Sequence, residues 1–280
     1  MKPNTLFLTA AAMVAFAANS VLCRLALGAG LIDAASFATV RTIAGALLLA
    51  GLLLARRRTV TARPNGRSVL ALYLYMVLFA FAYLSLSAGT GALILFGAVQ
   101  LTMFTAALRS GEQFPPLSWA GLVIAIGGLV YLVSPGLTAP DPLGAALMAV
   151  AGVSWGVYSL VGRRAADPIE ATAHNFLYAV PLVVATSLAF AGEFAVTAAG
   201  AGYAIASGAV ASGIGYVIWY AALRGLTGTA AATVQLSVPV IAAIGGVILL
   251  SEAVTPRLVV ACVATLGGVA LVLTQRSRSR

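Results

Sequence analysis

Polar and charged positions are so sparse along this chain that the apolar runs between them set the reading. Ten runs reach or approach spanning length, each bounded by charge, Gly or Pro: 5–27, 35–55, 68–88, 90–108, 117–135, 143–162, 171–191, 200–222, 228–250 and 256–274. A helix crossing the hydrocarbon of a bilayer needs about 20 predominantly apolar residues. The pattern therefore predicts an all-α membrane protein of ten transmembrane helices, with short connections and no domain outside the bilayer. Lys2 and the run that follows to Ala18 have the form of a signal peptide. That run continues past Asn19 to Leu27, however, and Met148–Ala166 is its counterpart in the second half. We read it as a retained first helix.

One stretch occurs twice. Val99-Gln100-Leu101-Thr102-Met103-Phe104 returns as Val234-Gln235-Leu236-Ser237-Val238-Pro239. After the first copy come Glu112, Pro116 and Gly127-Gly128; after the second come Glu252, Pro256 and Gly267-Gly268. The Glu-x-x-x-Pro spacing and the distance from Pro to Gly-Gly are the same in both. The segment Ser134–Pro142, rich in Pro, separates the two units. They are predicted at 1–135 and 143–280, five helices each, the second ending in a short basic tail. Five is odd, so the repeats lie inverted in the membrane, an arrangement typical of transporter folds.

Composition agrees with a membrane solvent. Hydrophobic residues make up 61% and charged residues 8%, with a mean hydropathy of +1.04, against roughly 25% charged in soluble domains. The net charge of +9 is a topology signal. With a cytoplasmic N-terminus, the inner connections hold Lys2, Arg56, Arg57, Arg58, Arg63, Arg67, Arg109, Arg163, Arg164, Arg224, Arg276, Arg278 and Arg280, thirteen of the 16 basic residues. Only Arg24, Arg41 and Arg257 fall at the other side. The positive-inside rule then puts both termini in the cytoplasm. A nucleic-acid partner would need a folded basic face outside the bilayer, and none is expected.

Cys23 and Cys262 lie in apolar runs and read as packing residues. No metal-spaced His-Glu pair, phosphate-binding loop or nucleophile elbow is present, so no enzyme, cofactor or metal is expected. The seven carboxylates, Asp33, Glu112, Asp141, Asp167, Glu170, Glu193 and Glu252, all fall at helix ends or connections. A pump driven through a buried carboxylate would place one at membrane depth. Movement down the substrate's own gradient, without obligatory proton exchange, is therefore expected. Coupling through His174, or through Glu112 and Glu252, is the competing idea.

Aromatic and neutral polar residues do lie at depth. Gln100 is mid-helix with Phe96, Met103 and Phe104 at helical spacing, and Gln235 is its twin. Trp155 and Tyr158 share a face, as do Tyr216, Trp219 and Tyr220, and as do Phe79 and Tyr83, while Asn19 lies inside the first helix. Packing alone would explain any one of them, with a polar bond between helices worth about 0.6 kcal/mol. Together, on helices 1, 3, 4, 6, 8 and 9, they predict a lined substrate cavity at the repeat interface. Arg41 and His174 occupy matching positions near the starts of helices 2 and 7. Arg41 reads as a snorkelling residue or one bonded to a loop carbonyl, and His174 as structural. Glu112 and Glu252 read as ties for the connections before Pro116 and Pro256.

Ten helices in two inverted halves, the paired Glu-x-x-x-Pro connections, the twin Gly-Gly pairs and an Arg near the start of helix 2 resemble the EamA-type drug/metabolite transporter superfamily. Within it, Trp155 with Tyr158, and Tyr216 with Trp219, look like the aromatic positions of YddG-type aromatic amino-acid exporters. That branch implies an Asn-rich, Trp-containing run before a Pro in helix 4. Here the run is Gln100-Leu101-Thr102-Met103-Phe104, which implies a broader neutral amino-acid range. The expected partners are a small-molecule substrate and lipid, with the chain a monomer or weak homodimer. Drug or other metabolite efflux coupled to protons is the alternative within transport. A membrane enzyme or scaffold is the alternative outside it.

Overall fold

The computed structural model describes residues 3–56, 65–111, 113–136, 138–162, 165, 167–226 and 228–278. Ten helices follow one another: α1 Pro3–Gly28, α2 Ala34–Ala55, α3 Gly66–Ala82, α4 Ala88–Arg109, α5 Pro116–Val133, α6 Pro142–Gly162, α7 Pro168–Ala189, α8 Ala198–Leu223, α9 and α10 Pro256–Arg278. Helix α9 is in two pieces, Gly228–Gln235 and Ser237–Leu250. Among the described residues, nine helices are long and apolar enough to cross a membrane, while α3 is apolar but shorter. Large apolar side chains such as Leu47, Leu54, Val123 and Val263 cover the outside, as a lipid-facing surface requires. The chain is a multi-pass membrane protein.

Local chemistry sets the helix starts. Pro116, Pro142, Pro168 and Pro256 open α5, α6, α7 and α10, where a residue without an N–H leaves no extra orphan. Asp33, Ser87, Asp167 and Thr197 cap α2, α4, α7 and α8 by accepting first-turn N–H bonds. The cap at Ser87 corrects the expected third run of 68–88. Helix α3 stops at Ala82, Tyr83–Ser87 turn, and α4 begins at Ala88 rather than 90.

The two copies of the repeated stretch fold differently. Helix α4 runs unbroken through Phe104, whereas α9 breaks at Leu236. Pro239 stands where Phe104 stands and cannot donate to the carbonyl of Gln235 four residues back. The Leu236 N–H and the Ser237 hydroxyl turn back to Thr233 O and Val234 O instead. The Gly-Gly pairs act alike in both copies. A Cβ on Gly128 would sit 2.6 Å from Thr265 Oγ1, and one on Gly268 would strike the backbone of Gly121 and Ala125, while Gly127 and Gly267 face open space. The second glycine of each pair is thus what lets α5 and α10 pack backbone to backbone.

Helices of the two halves interleave. Helix α3 packs on α6 and α7, α2 on α7 and α8, α4 on α6 and α9, and α1 on α8 and α9. The α5–α10 pair attaches to this bundle through α4 and α9. The centre left between α1, α3, α4, α6 and α8 holds the cavity.

Candidate functional site

Five helices line a central cavity: α1 with Phe16, Asn19 and Ser20, α3 with Tyr75 and Phe79, α4 with Leu95 and Phe96, α6 with Trp155, and α8 with Ala211 and Tyr216. Its volume is about 20 Å³, room for one water and far below what a metabolite needs. This is a closed conformation. Trp155 is the hub of the wall. Its ring lies 4.9 Å from Tyr75, 5.2 Å from Tyr216 and 5.3 Å from Tyr158, the last stacked at 27°. Phe79 sits 5.4 Å from Tyr75 on the other side. Such rings present apolar area with little rotamer freedom to lose, which suits a surface that opens and closes on a flat or aliphatic group.

A polar network runs from this wall through the Tyr75 hydroxyl to α2. The hydroxyl accepts from Asn19 Nδ2 at 3.1 Å and from Arg41 Nη2 at 3.0 Å. Arg41 also donates to Ser212 Oγ at 3.3 Å, and Ser207 donates to Asn19 Oδ1. The expectation that Arg41 snorkels to a membrane surface or meets a loop carbonyl is corrected here. Its side chain is 0% exposed, and its guanidinium carbon stands 4.8 Å from the Phe79 ring centre and 5.2 Å from that of Tyr75. Two ring faces and two hydroxyls take the place of a counter-ion. Arg41 Nε and Nη1 have no hydrogen-bond partner.

Helix α8 delivers the two serines by widening. Residues Ala206–Ile214 form a π-helical stretch inside α8, a feature that often marks functional positions. Ser207 and Ser212 are five residues apart. That spacing would set them about 140° apart around an α-helix, whereas the wider turns bring both to the α1–α2 side. Gly208 makes the approach possible, because a Cβ there would strike the carbonyl oxygen of Arg41.

The residues singled out from the sequence divide into three groups. Asn19, Phe79, Trp155 and Tyr216 line the cavity. Tyr158 stacks on Trp155, Trp219 packs 5.9 Å from Phe16, and Tyr83 meets Phe79 edge-on at 4.8 Å, so these three support the lining from behind. Gln100, Met103 and Gln235 lie outside it. Gln100 is buried with its Nε2 unpartnered, Met103 is half-buried, and Gln235 Nε2 donates to Ala231 O of its own helix. Helix α9 contributes nothing to the lining in this conformation. The sequence reading missed Tyr75, Phe16, Ser20, Ser207 and Ser212. A usable signal was the Ser207-Gly208 dipeptide repeating as Ser212-Gly213. His174 is buried on α7 beside Tyr178, with Nδ1 unpartnered and away from the cavity.

One end of the bundle is stitched shut. At the C-terminal end of α1, Arg24 Nε meets Glu252 Oε1 at 3.4 Å, and Arg24 Nη1 donates to the carbonyls of Tyr83 and Leu84. Glu252 also accepts from the Ala88 N–H at 2.9 Å, so one carboxylate from the α9–α10 connection caps α4 of the first half. Arg257 ties α10 to the carbonyls of Leu132, Ser134 and Pro135 at the C-terminal end of α5. Asp33 accepts from the Ala195 N–H. Partial burial pushes the Asp33 carboxyl up, but bonds from Ser36 and Ala195 outweigh it and hold its pKa below the usual carboxylate value. Glu112 and the basic residues Lys2, Arg57, Arg58, Arg63, Arg163, Arg164 and Arg280 lie outside the described residues.

Comparison with known proteins places this architecture. The EamA-like transporter family matches residues 142–274. Uncharacterized protein PA1977 of Pseudomonas aeruginosa is 50% identical over 274 residues, covering 98% of this chain and 96% of its own. The crystal structure of another protein superposes with a TM-score of 0.68 at 22% identity, over 97% of this chain and 98% of that one. It shares the fold. Ten apolar helices, five on either side of one break, and a closed central cavity agree with the family assignment: the chain belongs to the EamA-like transporter family, whose members are membrane transporters.

Proposed function

We propose that the protein exports small amphipathic metabolites across the bacterial inner membrane, amino acids with aromatic and other neutral side chains first among them. The units 1–135 and 143–280 rock against each other around the central cavity, opening it to one face and then the other. Both termini lie in the cytoplasm on the Lys and Arg distribution. The observation that carries this reading is the Trp155 hub, one indole contacting Tyr75, Tyr158 and Tyr216 at the meeting point of α3, α6 and α8. These three come from both halves of the chain, so a relative movement of the halves opens the wall. Transporter sites sit at such repeat interfaces. The substrate's own gradient drives export, because the six described carboxylates all stand at helix ends or connections.

Counterflow in liposomes tests it. Pure protein is reconstituted into vesicles loaded with unlabelled phenylalanine, and labelled phenylalanine is added outside. Transient accumulation above that of protein-free vesicles is expected. No accumulation with phenylalanine, leucine or methionine would contradict the amino-acid assignment.

A further inference from the structure

A buried cation stands one residue back from the cavity, and among the described residues no anion lines it. Arg41 is fully buried on α2, with Nε and Nη1 unpartnered. No carboxylate among the described residues bonds to it or lines the cavity. It reaches the cavity through Tyr75. A phenol oxygen has two acceptor sites and one donor. At Tyr75 both acceptor sites are used, one by Arg41 Nη2 at 3.0 Å and one by Asn19 Nδ2 at 3.1 Å. The Tyr75 proton is therefore left to donate, and among the described residues no hydrogen bond uses it. Donation from a hydroxyl whose oxygen already faces a guanidinium is strengthened by cooperative polarisation. In a desolvated site such a donor favours a charged acceptor over a neutral one.

Hydrogen-bond acceptors for a cation are scarce, and the ring faces of Tyr75 and Phe79 already carry Arg41. Asn19 Oδ1 is taken by Ser207, and the remaining lining is aromatic or aliphatic apart from the hydroxyls of Ser20 and Tyr216. A positive group entering the cavity would lose its hydration, meet the field of Arg41 and find no carboxylate.

We propose that the cavity selects its substrates by a carboxylate, which accepts from the Tyr75 hydroxyl backed by Arg41 and Asn19, and that a substrate's ammonium group is not recognised. This rests on the proposed function and narrows it. Carboxylic acids with an apolar body are bound as well as the matching amino acid, and the matching amine is rejected. Arg41 acts here as a positioning residue, through Tyr75.

Three compounds with one aromatic body test the inference in the same proteoliposomes: 3-phenylpropionate, phenylalanine and 2-phenylethylamine, each as a competitor of labelled phenylalanine counterflow. Phenylpropionate is expected to compete within about threefold of phenylalanine. Phenylethylamine is expected to be weaker by about tenfold or more, the size of one hydrogen bond to a charged group. In Tyr75→Phe, which keeps the ring, the preference for acid over amine should fall toward unity. In Arg41→Lys it should persist, and in Arg41→Met it should fall, with thermal unfolding of each variant confirming a folded protein. Equal competition by the amine in the unsubstituted protein overturns the inference and leaves the transport reading standing. So does a preference unchanged in a folded Tyr75→Phe protein. If labelled phenylalanine shows no counterflow, and none of the three compounds changes the protein's tryptophan fluorescence, the transport reading itself fails, and the inference with it.

Discussion

Arg41 Nη2 and the Tyr75 hydroxyl meet at 3.0 Å, with the guanidinium carbon 5.2 Å from the centre of the same ring. One residue thus serves the cation twice, as hydrogen-bond acceptor and as π face. A charge at membrane depth is costly and persists where the protein supplies partners. Here the partners are Tyr75, Phe79 and Ser212, drawn from α3 and α8. The arrangement locks α2, α3 and α8 together at the cavity's rear.

The lock depends on close backbone approach at Gly208. Gly208→Ala places a methyl group against the Arg41 carbonyl and should destabilise the protein by about 1–3 kcal/mol, the usual range for overpacking. Gly202→Ala and Gly267→Ala, where a Cβ meets nothing within 4 Å, serve as controls and should leave the midpoint unchanged or slightly raised. Thermal unfolding in detergent measures this. Equal midpoints for Gly208→Ala and the unsubstituted protein would remove Gly208 from the account.

The stitched end makes a second prediction. Glu252→Gln keeps an acceptor for the Ala88 N–H but loses the ion pair with Arg24. Such partly exposed pairs contribute about 0–1 kcal/mol, enough to raise the open population up to about fivefold. Ser20 lines the cavity and is buried in the closed form. A cysteine there, with Cys23 and Cys262 replaced by Ala, should react with an impermeant thiol reagent a few times faster once Glu252→Gln is added. An unchanged rate would mean that the pair holds the connection only and does not bias opening.

Much of the fold was legible because a bilayer imposes a simple rule on sequence. Long apolar runs with short breaks left few alternatives to ten helices, and Pro116 and Pro256 marked helix starts that the structure keeps. The boundary at α3 was not legible, because Tyr83–Ser87 holds no charge, Gly or Pro to end the run and only the Ser87 cap marks the new helix. The site was half legible. Trp155 and Tyr216 announced themselves as aromatics at depth. Arg41 did not, because its distance along α2 fits a snorkelling side chain as well as a buried one. Ser207 and Ser212 were hidden by the π-helical turns, since an α-helical period puts them on different faces. Gln235 was misleading in the opposite sense. Its twin relation to Gln100 is real in sequence, yet Pro239 breaks α9 beside it and its amide turns back to Ala231.

Coupling gives the third prediction. None of the described carboxylates lines the cavity, and this is what supports the proposed movement without proton exchange. With equal substrate on both sides of the liposome membrane, an imposed pH gradient should produce no net accumulation. Uphill accumulation abolished by an uncoupler would contradict this. Its loss in His174→Gln would then identify the group responsible.

The central claim is that the aromatic cavity around Trp155 is the transport site. Counterflow of labelled phenylalanine in the Trp155→Ala protein measures it most directly, with Trp119→Ala as the control, since Trp119 is 44% exposed on the outside of α5. Removing the indole deletes the shared contact of Tyr75, Tyr158 and Tyr216 and the stacking surface for substrate, worth about 0.5–1.5 kcal/mol per aromatic pair beyond area burial. Counterflow is expected to fall about tenfold or more in Trp155→Ala, at equal reconstituted amounts, and to stay near the unsubstituted rate in Trp119→Ala. Undiminished counterflow in Trp155→Ala would contradict the claim and move the site elsewhere in the bundle.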